Sequence, residues 1–245
     1  LMQSNAQLEY DYSVVKLFTI NHVALKGKPI KERTELTMIV YNKPKGALVT
    51  KKDDRGRTTI YHLLPGKFRH FIPVGRLDYA SEGLLLMTDS PKVAEVMMHS
   101  DLDRTYNIKI DKPLTSEMEQ AMQEGLVLDD ARAGGHEKST IHDMEFAPFV
   151  QYEVRGANPN FTKLRVTIAE GKNRELRRFF AHFGATILDL KRVAFGGIEL
   201  NNLPTNKTRF FTRREYDDLH KYLKYMQAMR EEEASIEDGD DYFED

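Results

Sequence analysis

At 245 residues, with 40% apolar and 30% charged side chains, the chain has the length and balance of a globular protein with a full core, not of a low-complexity or membrane-spanning one. No apolar run approaches the roughly eighteen residues of a membrane span, no signal peptide is visible, and with no cysteine there is neither a disulfide framework nor a thiolate metal site, so the expected location is the cytoplasm. The net charge of −2 conceals a segregation: residues 231–245 hold nine acids and no base, leaving 36 basic against 29 acidic residues, about +7, on the rest. A basic body with an acidic tail fits a nucleic-acid binder.

In chain order, residues 1–13 are polar, and Val14–Phe18 and His22–Leu25 read as short strands before a turn at Lys26–Pro29. Lys31–Leu36 is a charged connector. Thr37–Val40 is an apolar strand, closed by the turn Asn42-Lys43-Pro44-Lys45-Gly46, with Ala47–Thr50 as a returning strand. Ile60–Leu64 is a short helix ended by Pro65-Gly66. Val74–Ser90 (VGRLDYASEGLLLMTDS) sets Asp78 in a turn, adds a second turn at Ser81–Gly83 and enters the buried strand Leu84–Met87. Ser90-Pro91 caps a helix to about Met98, with Val93, Val96 and Met97 inward. Arg104–Ile110 alternates as a strand with Arg104, Tyr106, Ile108 and Ile110 on one face, and Thr115–Glu124 is a helix closed by Gly125. Residues 129–160 carry only weak strands, around Ile141–Phe146 and Val150–Val154. Phe161–Ala169 alternates again, Gly171–Gly184 is a helix, Ala185–Leu190 is a strand, and Ala194–Ile198 is loop. Thr212 and Glu215 form a capping box for a last helix, with Tyr216, Leu219, Tyr222, Leu223 and Met226 inward. Many strands with a few segregated helices indicate α+β with a mixed sheet.

On a helical wheel for residues 174–183, Leu176, Phe179, Phe180 and Phe183 share the core arc, and Arg174, Arg177 and Arg178 fall opposite. Three guanidinium groups so close repel one another and lie at the helix end where the macrodipole disfavours cations, so an anion is expected to compensate. Asp78, in a loop beside a core strand, is a candidate nucleophile; an Asp in such a turn also commonly caps or is solvated. The eight His residues show no ligand-like pairing, and there is no phosphate-binding Gly-x-x-x-x-Gly-Lys loop, Gly-x-Gly-x-x-Gly or Gly-x-Ser-x-Gly, so neither metal nor cofactor is expected.

Gly75-Arg76-Leu77-Asp78, followed by Ser81-Glu82-Gly83-Leu84-Leu85-Leu86-Met87-Thr88, resembles the active-site motif of pseudouridine synthases, in the variant of the ribosomal-RNA branch (RsuA/RluB type). Tyr41–Gly46, Arg104-Thr105-Tyr106, and Glu170–Arg178 followed by Leu190-Lys191-Arg192 and Gly197–Leu200 agree with that branch in order, covering residues 38 to about 223. The resemblance implies an α+β pseudouridine synthase fold, a mixed or antiparallel central sheet with flanking helices and a cleft across it. It further implies isomerisation of a ribosomal-RNA uridine, without metal or cofactor, by a monomer. Asp78 would be the nucleophile, attacking the sugar or assisting proton removal from it. Arg177 would pair with Asp78 and orient it, and Tyr106 would stack on the flipped base. Arg76 would fill the vacated place, and Lys43, Lys45, Arg174, Arg178 and Arg192 would hold the RNA, chiefly by its phosphates. Asn173–Arg178 is closer in wording to the large-subunit members.

The implied organisation is a remnant of an N-terminal RNA-binding domain with its connector at 1–36, a catalytic domain at 37–229, and an acidic tail without fixed structure at 230–245. The branch's usual N-terminal helix pair is not evident. A non-catalytic RNA-binding or ribosome-assembly protein on the same fold is the alternative, against which stands the joint presence of Asp78, Tyr106 and Arg177. A hydrolase using Asp78 would want a second acid or a metal site.

Overall fold

In the computed structural model, which describes residues 24–25, 28–29 and 36–240, the first elements are a two-residue strand pair, β1 (Ala24–Leu25) and β2 (Lys28–Pro29), joined antiparallel. The expected strand Val14–Phe18 lies outside the described residues. From β3 (Met38–Lys43) the chain passes through α1 (Ile60–Leu63) and a 3-10 turn at Gly66–Phe68 to β4 (Ile72–Pro73) and β5 (Glu82–Thr88). Then come α2 (Pro91–Met98), β6 (Arg104–Ile110), α3 (Ser116–Glu124), β7 (Leu126–Leu128) and β8 (Met144–Phe146). The chain continues through β9 (Gln151–Asn158), β10 (Phe161–Ile168), α4 (Glu175–His182), β11 (Ile187–Phe195), β12 (Ile198–Glu199), β13 (Thr208–Phe210) and α5 (Arg213–Asp240).

One mixed sheet runs in the order β13-β3-β5-β11-β6-β10-β9, with β4 beside β5 and β12 beside β11. Every pairing in it is antiparallel except β5 with β11, which is parallel at Glu82–Lys191 and Gly83–Arg192. This is the expected α+β architecture. β3 and β5 are buried on both faces, so each carries an apolar run, Met38–Tyr41 and Leu84–Met87. On one face, Ile39, Tyr41, Leu85 and Met87 meet Ile60 of α1, Met118 and Met122 of α3, and Leu176, Phe179 and Phe180 of α4. On the other, Met38, Val40, Leu84 and Leu86 meet Val93 and Met97 of α2 and Leu219 and Leu223 of α5. β6 is covered on one face only, and its alternation of buried and accessible residues records that.

The helix starts follow their sequence signals. Ser90 Oγ accepts the Val93 N–H at 3.4 Å, Thr115 Oγ1 accepts that of Met118 at 3.2 Å, and the Thr212–Glu215 box closes in both directions at 3.2 and 2.8 Å. Other expectations change. Ala47–Thr50 contributes only a single bridge, Leu48 to Thr59. β11 runs past Leu190 to Phe195 and turns through Gly196 into β12, so Ala194–Ile198 is a hairpin, not an open loop. The charges of Lys191 and Arg192 hid that continuation. β9 is longer than its apolar content indicates because it is an edge strand with little burial. The acidic stretch expected to lack structure from 230 is helical as far as Asp240.

Gly83 lets the parallel pair close. Its φ is +106°, and a Cβ there would stand 2.2 Å from the Arg192 carbonyl oxygen, a main-chain atom that cannot swing aside. Gly83→Ala should therefore destabilise the fold by at least about 2 kcal/mol, a typical cost of overpacking before backbone strain is added. An unchanged denaturant midpoint would show that β5 and β11 do not depend on this approach.

Candidate active site

The loop from Val74 to Ser81 leads into β5 and carries Asp78 to the wall of a cavity of about 170 Å³. Arg76, Asp78, Arg104, Tyr106, Arg174, Glu175, Arg177, Leu190, Arg192 and Phe195 are among its lining residues. A cavity of about 150 Å³ in another protein's core admits benzene, so this space admits one six-membered ring.

Lys43, at the end of β3, fixes the loop. Its ammonium is wholly buried and donates to the carbonyl oxygens of Pro44, Asp78 and Ser81 at 2.9, 3.1 and 2.7 Å. Burial lowers its pKa to about 8, with Asp78 and Glu82 opposing. Three donated hydrogens require the protonated form, which prevails at neutral pH. Lys43 is therefore not a phosphate contact: no solvent or ligand reaches it.

Asp78, about one-third exposed, faces two arginines. Arg174 Nη1 donates to its Oδ2 at 2.9 Å, and Arg177 Nε stands 3.6 Å from the same oxygen. The expected Arg177 partnership is present, and Arg174 is the nearer partner. Arg177 also donates to Ser81 Oγ at 3.2 Å and to the Ile187 carbonyl at 3.4 Å. Burial lowers its pKa from the usual arginine value, with Arg174 adding to the effect and Asp78 resisting it.

These arginines are not all on the helix. Arg174 precedes α4 as its N-cap with φ 51°, the left-handed region. Its Nε donates to the Gly134 carbonyl at 2.7 Å while Nη1 holds Asp78. α4 is anchored by Phe179, whose ring lies 4.9–5.6 Å from those of Phe146, Phe149, Phe180 and Phe183. Full burial of Phe179 and Phe180 contributes about 2–3 kcal/mol each. Arg178 departs from the phosphate role. It is completely buried and donates to the carbonyls of Asn173 and Ala131, to Asn173 Oδ1 and to Ser139 Oγ, tying residues 131–139 to the start of α4. The wheel placed it outside because nothing in its own segment shows that another loop covers that arc.

Lys45 is exposed but ion-paired with Asp189 and does not line the cavity. Arg192 is only 4% exposed, so it is no surface phosphate contact either, although it lines the cavity. Arg76 is exposed at the cavity wall with no partner among the described residues. Tyr106 is largely buried beside Arg192, its register partner on β11. Sequence reasoning missed Ser81 as an Arg177 partner, and it missed Glu175 and Arg104 as lining residues. The Glu in Asn-Arg-Glu-Leu-Arg-Arg was the available signal. Glu175 is buried, accepts the Lys172 N–H at 3.1 Å, and is pushed by that burial up to about 7, with Glu170 adding and the Lys172 amide, Lys172 and Arg104 opposing. Among the described residues no three His, Asp or Glu side chains gather as a metal would need.

The site is thus a cation-lined, ring-sized cavity with the Asp78 carboxylate held at its wall by two arginines. Residues 37–182 match the RNA pseudouridylate synthase family model. An RNA pseudouridine synthase of Helicobacter pylori is 53% identical over 196 residues, 80% of this chain and 74% of that one. The ribosomal large subunit pseudouridine synthase B of Pseudomonas aeruginosa is 34% identical, over 74% of this chain and 45% of its own. That of Bacillus subtilis is 26% identical, over 82% and 78%. A crystal structure of a pseudouridylate synthase shares the fold, with TM-score 0.60 and 24% identity over 76% of this chain and 74% of that one. The chain belongs to the RNA pseudouridylate synthase family.

The burial of Glu175 has a measurable consequence. In the unfolded chain its carboxyl ionises near 4.5, and in the fold near 7, so between these values the native state holds a proton that the unfolded state has released. Stability must fall as pH rises through that window, by about 3 kcal/mol in total. Glu175→Gln removes this term. The variant's melting temperature should match or trail wild type at pH 4.5 and gain on it up to pH 8. A difference that stays flat with pH would show that Glu175 ionises freely in the fold.

Proposed function

We propose that this protein converts a uridine of ribosomal RNA, in the large subunit, to pseudouridine, with Asp78 acting on the sugar. The observation that carries the reading is the Asp78 carboxylate fixed by Arg174 and Arg177 at the wall of a ring-sized cavity, beside Tyr106. Relatives named as large-subunit synthases support the substrate class.

The reaction breaks the C1′–N1 bond, turns the uracil and joins C1′ to C5, the proton lost from C5 being balanced by one taken up from solvent at N1. Asp78 either takes C1′ as a nucleophile or assists removal of a sugar proton, and both routes need it aimed, as its ion pairs with Arg174 and Arg177 aim it. A uridine in folded RNA reaches the cavity only by leaving its stack. Tyr106 packs against the flipped ring, and its hydroxyl takes part in proton transfer. Arg76, exposed and without a partner among the described residues, fills the place that the base vacates. Arg174, the more exposed of the Asp78 partners, meets a neighbouring phosphate.

The test is pseudouridine mapping in ribosomal RNA from cells lacking the protein. One uridine should remain unmodified, wild type should restore it, and Asp78→Asn should not, while binding a fragment around that uridine within about threefold of wild type. Restoration by Asp78→Asn would refute the assigned chemistry. A complete pseudouridine map without the protein would refute the ribosomal substrate.

A further inference from the structure

Arg192 sits at the centre of β11, where Gly83 brings β5 against it. Most buried cations around the cavity have acceptors. Arg104 donates to the carbonyls of Ser100, Leu102 and Ala169, and Lys43 and Arg178 are satisfied as described above. Arg177 Nε, also enclosed, at least faces Asp78. Arg192 is different. Its Nε donates to the Leu84 carbonyl at 2.8 Å, but Nη2 is enclosed without an acceptor and no carboxylate pairs with the group among the described residues. The guanidinium lies 5.5 Å from the centroid of Phe195, and Arg192, Phe195, Leu190 and Tyr106 all line the cavity.

A buried donor without an acceptor is costly, and a ligand that supplies the acceptor recovers that cost. The surroundings select the ligand atom. Phe195, Leu190, Ile168 and Leu176 give the cavity apolar walls suited to a flat ring, whereas Arg174, with its side chain 24% exposed, offers a phosphate a site nearer to water. Resting on the proposed function, we infer that Arg192 donates to O4 of the flipped uracil and so reads uridine.

Uracil suits a fixed donor during this reaction. Turning the ring about its N3–C6 axis exchanges N1 with C5, as the isomerisation requires, and also exchanges the C2 and C4 carbonyls. A donor at one carbonyl position therefore meets an oxygen before and after the turn. Cytosine places an amino group where uracil has O4, and a guanidinium cannot accept from it. One contact thus serves base selection and holds the ring through the rotation. Arg192 acts as a specificity-determining residue.

The test is a binding cycle between protein and base atoms. A fragment of the mapped ribosomal RNA is made with uridine, 2-pyrimidinone riboside (no O4), 4-pyrimidinone riboside (no O2) or an abasic site at the target, and titrated with wild type and Arg192→Met. Deleting O4 should weaken wild type about tenfold or more and weaken Arg192→Met less than about twofold, with abasic RNA bound equally by both proteins, whereas coupling to O2 alone would leave cytosine acceptable and overturn the inference. Equal losses for both proteins on each deletion would overturn the inference. So would an Arg192→Met loss as large on abasic RNA as on uridine RNA with a shallower salt dependence, which marks a phosphate contact. If Arg192→Met does not fold, Arg192→Lys takes its place, and wild-type indifference to both deletions overturns the inference without any variant. Conversion of the uridine fragment by wild type checks the underlying function separately, so conversion without coupling would sink this inference alone.

Discussion

The ammonium of Lys43 lies sealed beneath the turn that carries Asp78, and the geometry of the cleft rests on what it binds. Two of its three acceptors are main-chain carbonyls of that turn, at Asp78 and Ser81, and the third is its neighbour Pro44. Burying a cation is unfavourable unless its donors are met, and here carbonyls meet all three. The same contact ties the end of β3 to the entrance of β5, so the position of the Asp78 main chain follows from the core of the sheet. A charge that looks in sequence like an RNA contact is spent instead on holding the loop that presents the carboxylate.

The same division runs through the arginines. Arg104 and Arg178 use carbonyls and side-chain oxygens of the protein and act as internal ties. Arg174 and Arg177 share a carboxylate. A buried guanidinium has five hydrogens to satisfy in a fixed plane, so each one constrains several segments together. The cluster that local helix physics disfavours is stabilised by tertiary partners: Asp78 for two of its members, the 131–139 segment for the third. The compensating anion expected from the sequence exists, but it accounts for only part of the cluster.

What the sequence made legible was whatever local chemistry decides. Caps at Ser90, Thr115 and Thr212 are short-range events, and the alternation along Arg104–Ile110 states which face of β6 is covered. Proximity of Asp78 to the Glu170–Arg178 segment was legible through the family resemblance, since no local pattern links residues 96 positions apart. Burial of Lys43, Arg178 and Arg192 was not legible, because a basic residue reads as solvated until its acceptors are known, and these are distant in the chain or on the main chain. β11 was cut short for the same reason: Lys191 and Arg192 resemble the end of a strand unless a cavity beside it takes one of them.

The segment between α3 and β9, weakest in pattern, nonetheless sets the finest detail of the site. Gly134 packs so closely on α4 that a Cβ would stand 2.4 Å from the Arg177 carbonyl oxygen, and its own carbonyl accepts from Arg174. A non-glycine residue in the left-handed region carries about 1–3 kcal/mol of strain and persists only where its surroundings over-determine it. Arg174 is held there between the Gly134 carbonyl on one side and the Asp78 carboxylate on the other. Its conformation ends the turn before α4 and lets the helix begin at Glu175, which puts Arg177 in the first turn of α4, facing Ser81 and Asp78. The nearer Asp78 partner is thus set by a loop with no motif of its own, and the farther one by a helix whose start that loop determines. Asp78 is aimed by two parts of the fold, the loop at Gly134 acting through Arg174 and the start of α4 through Arg177.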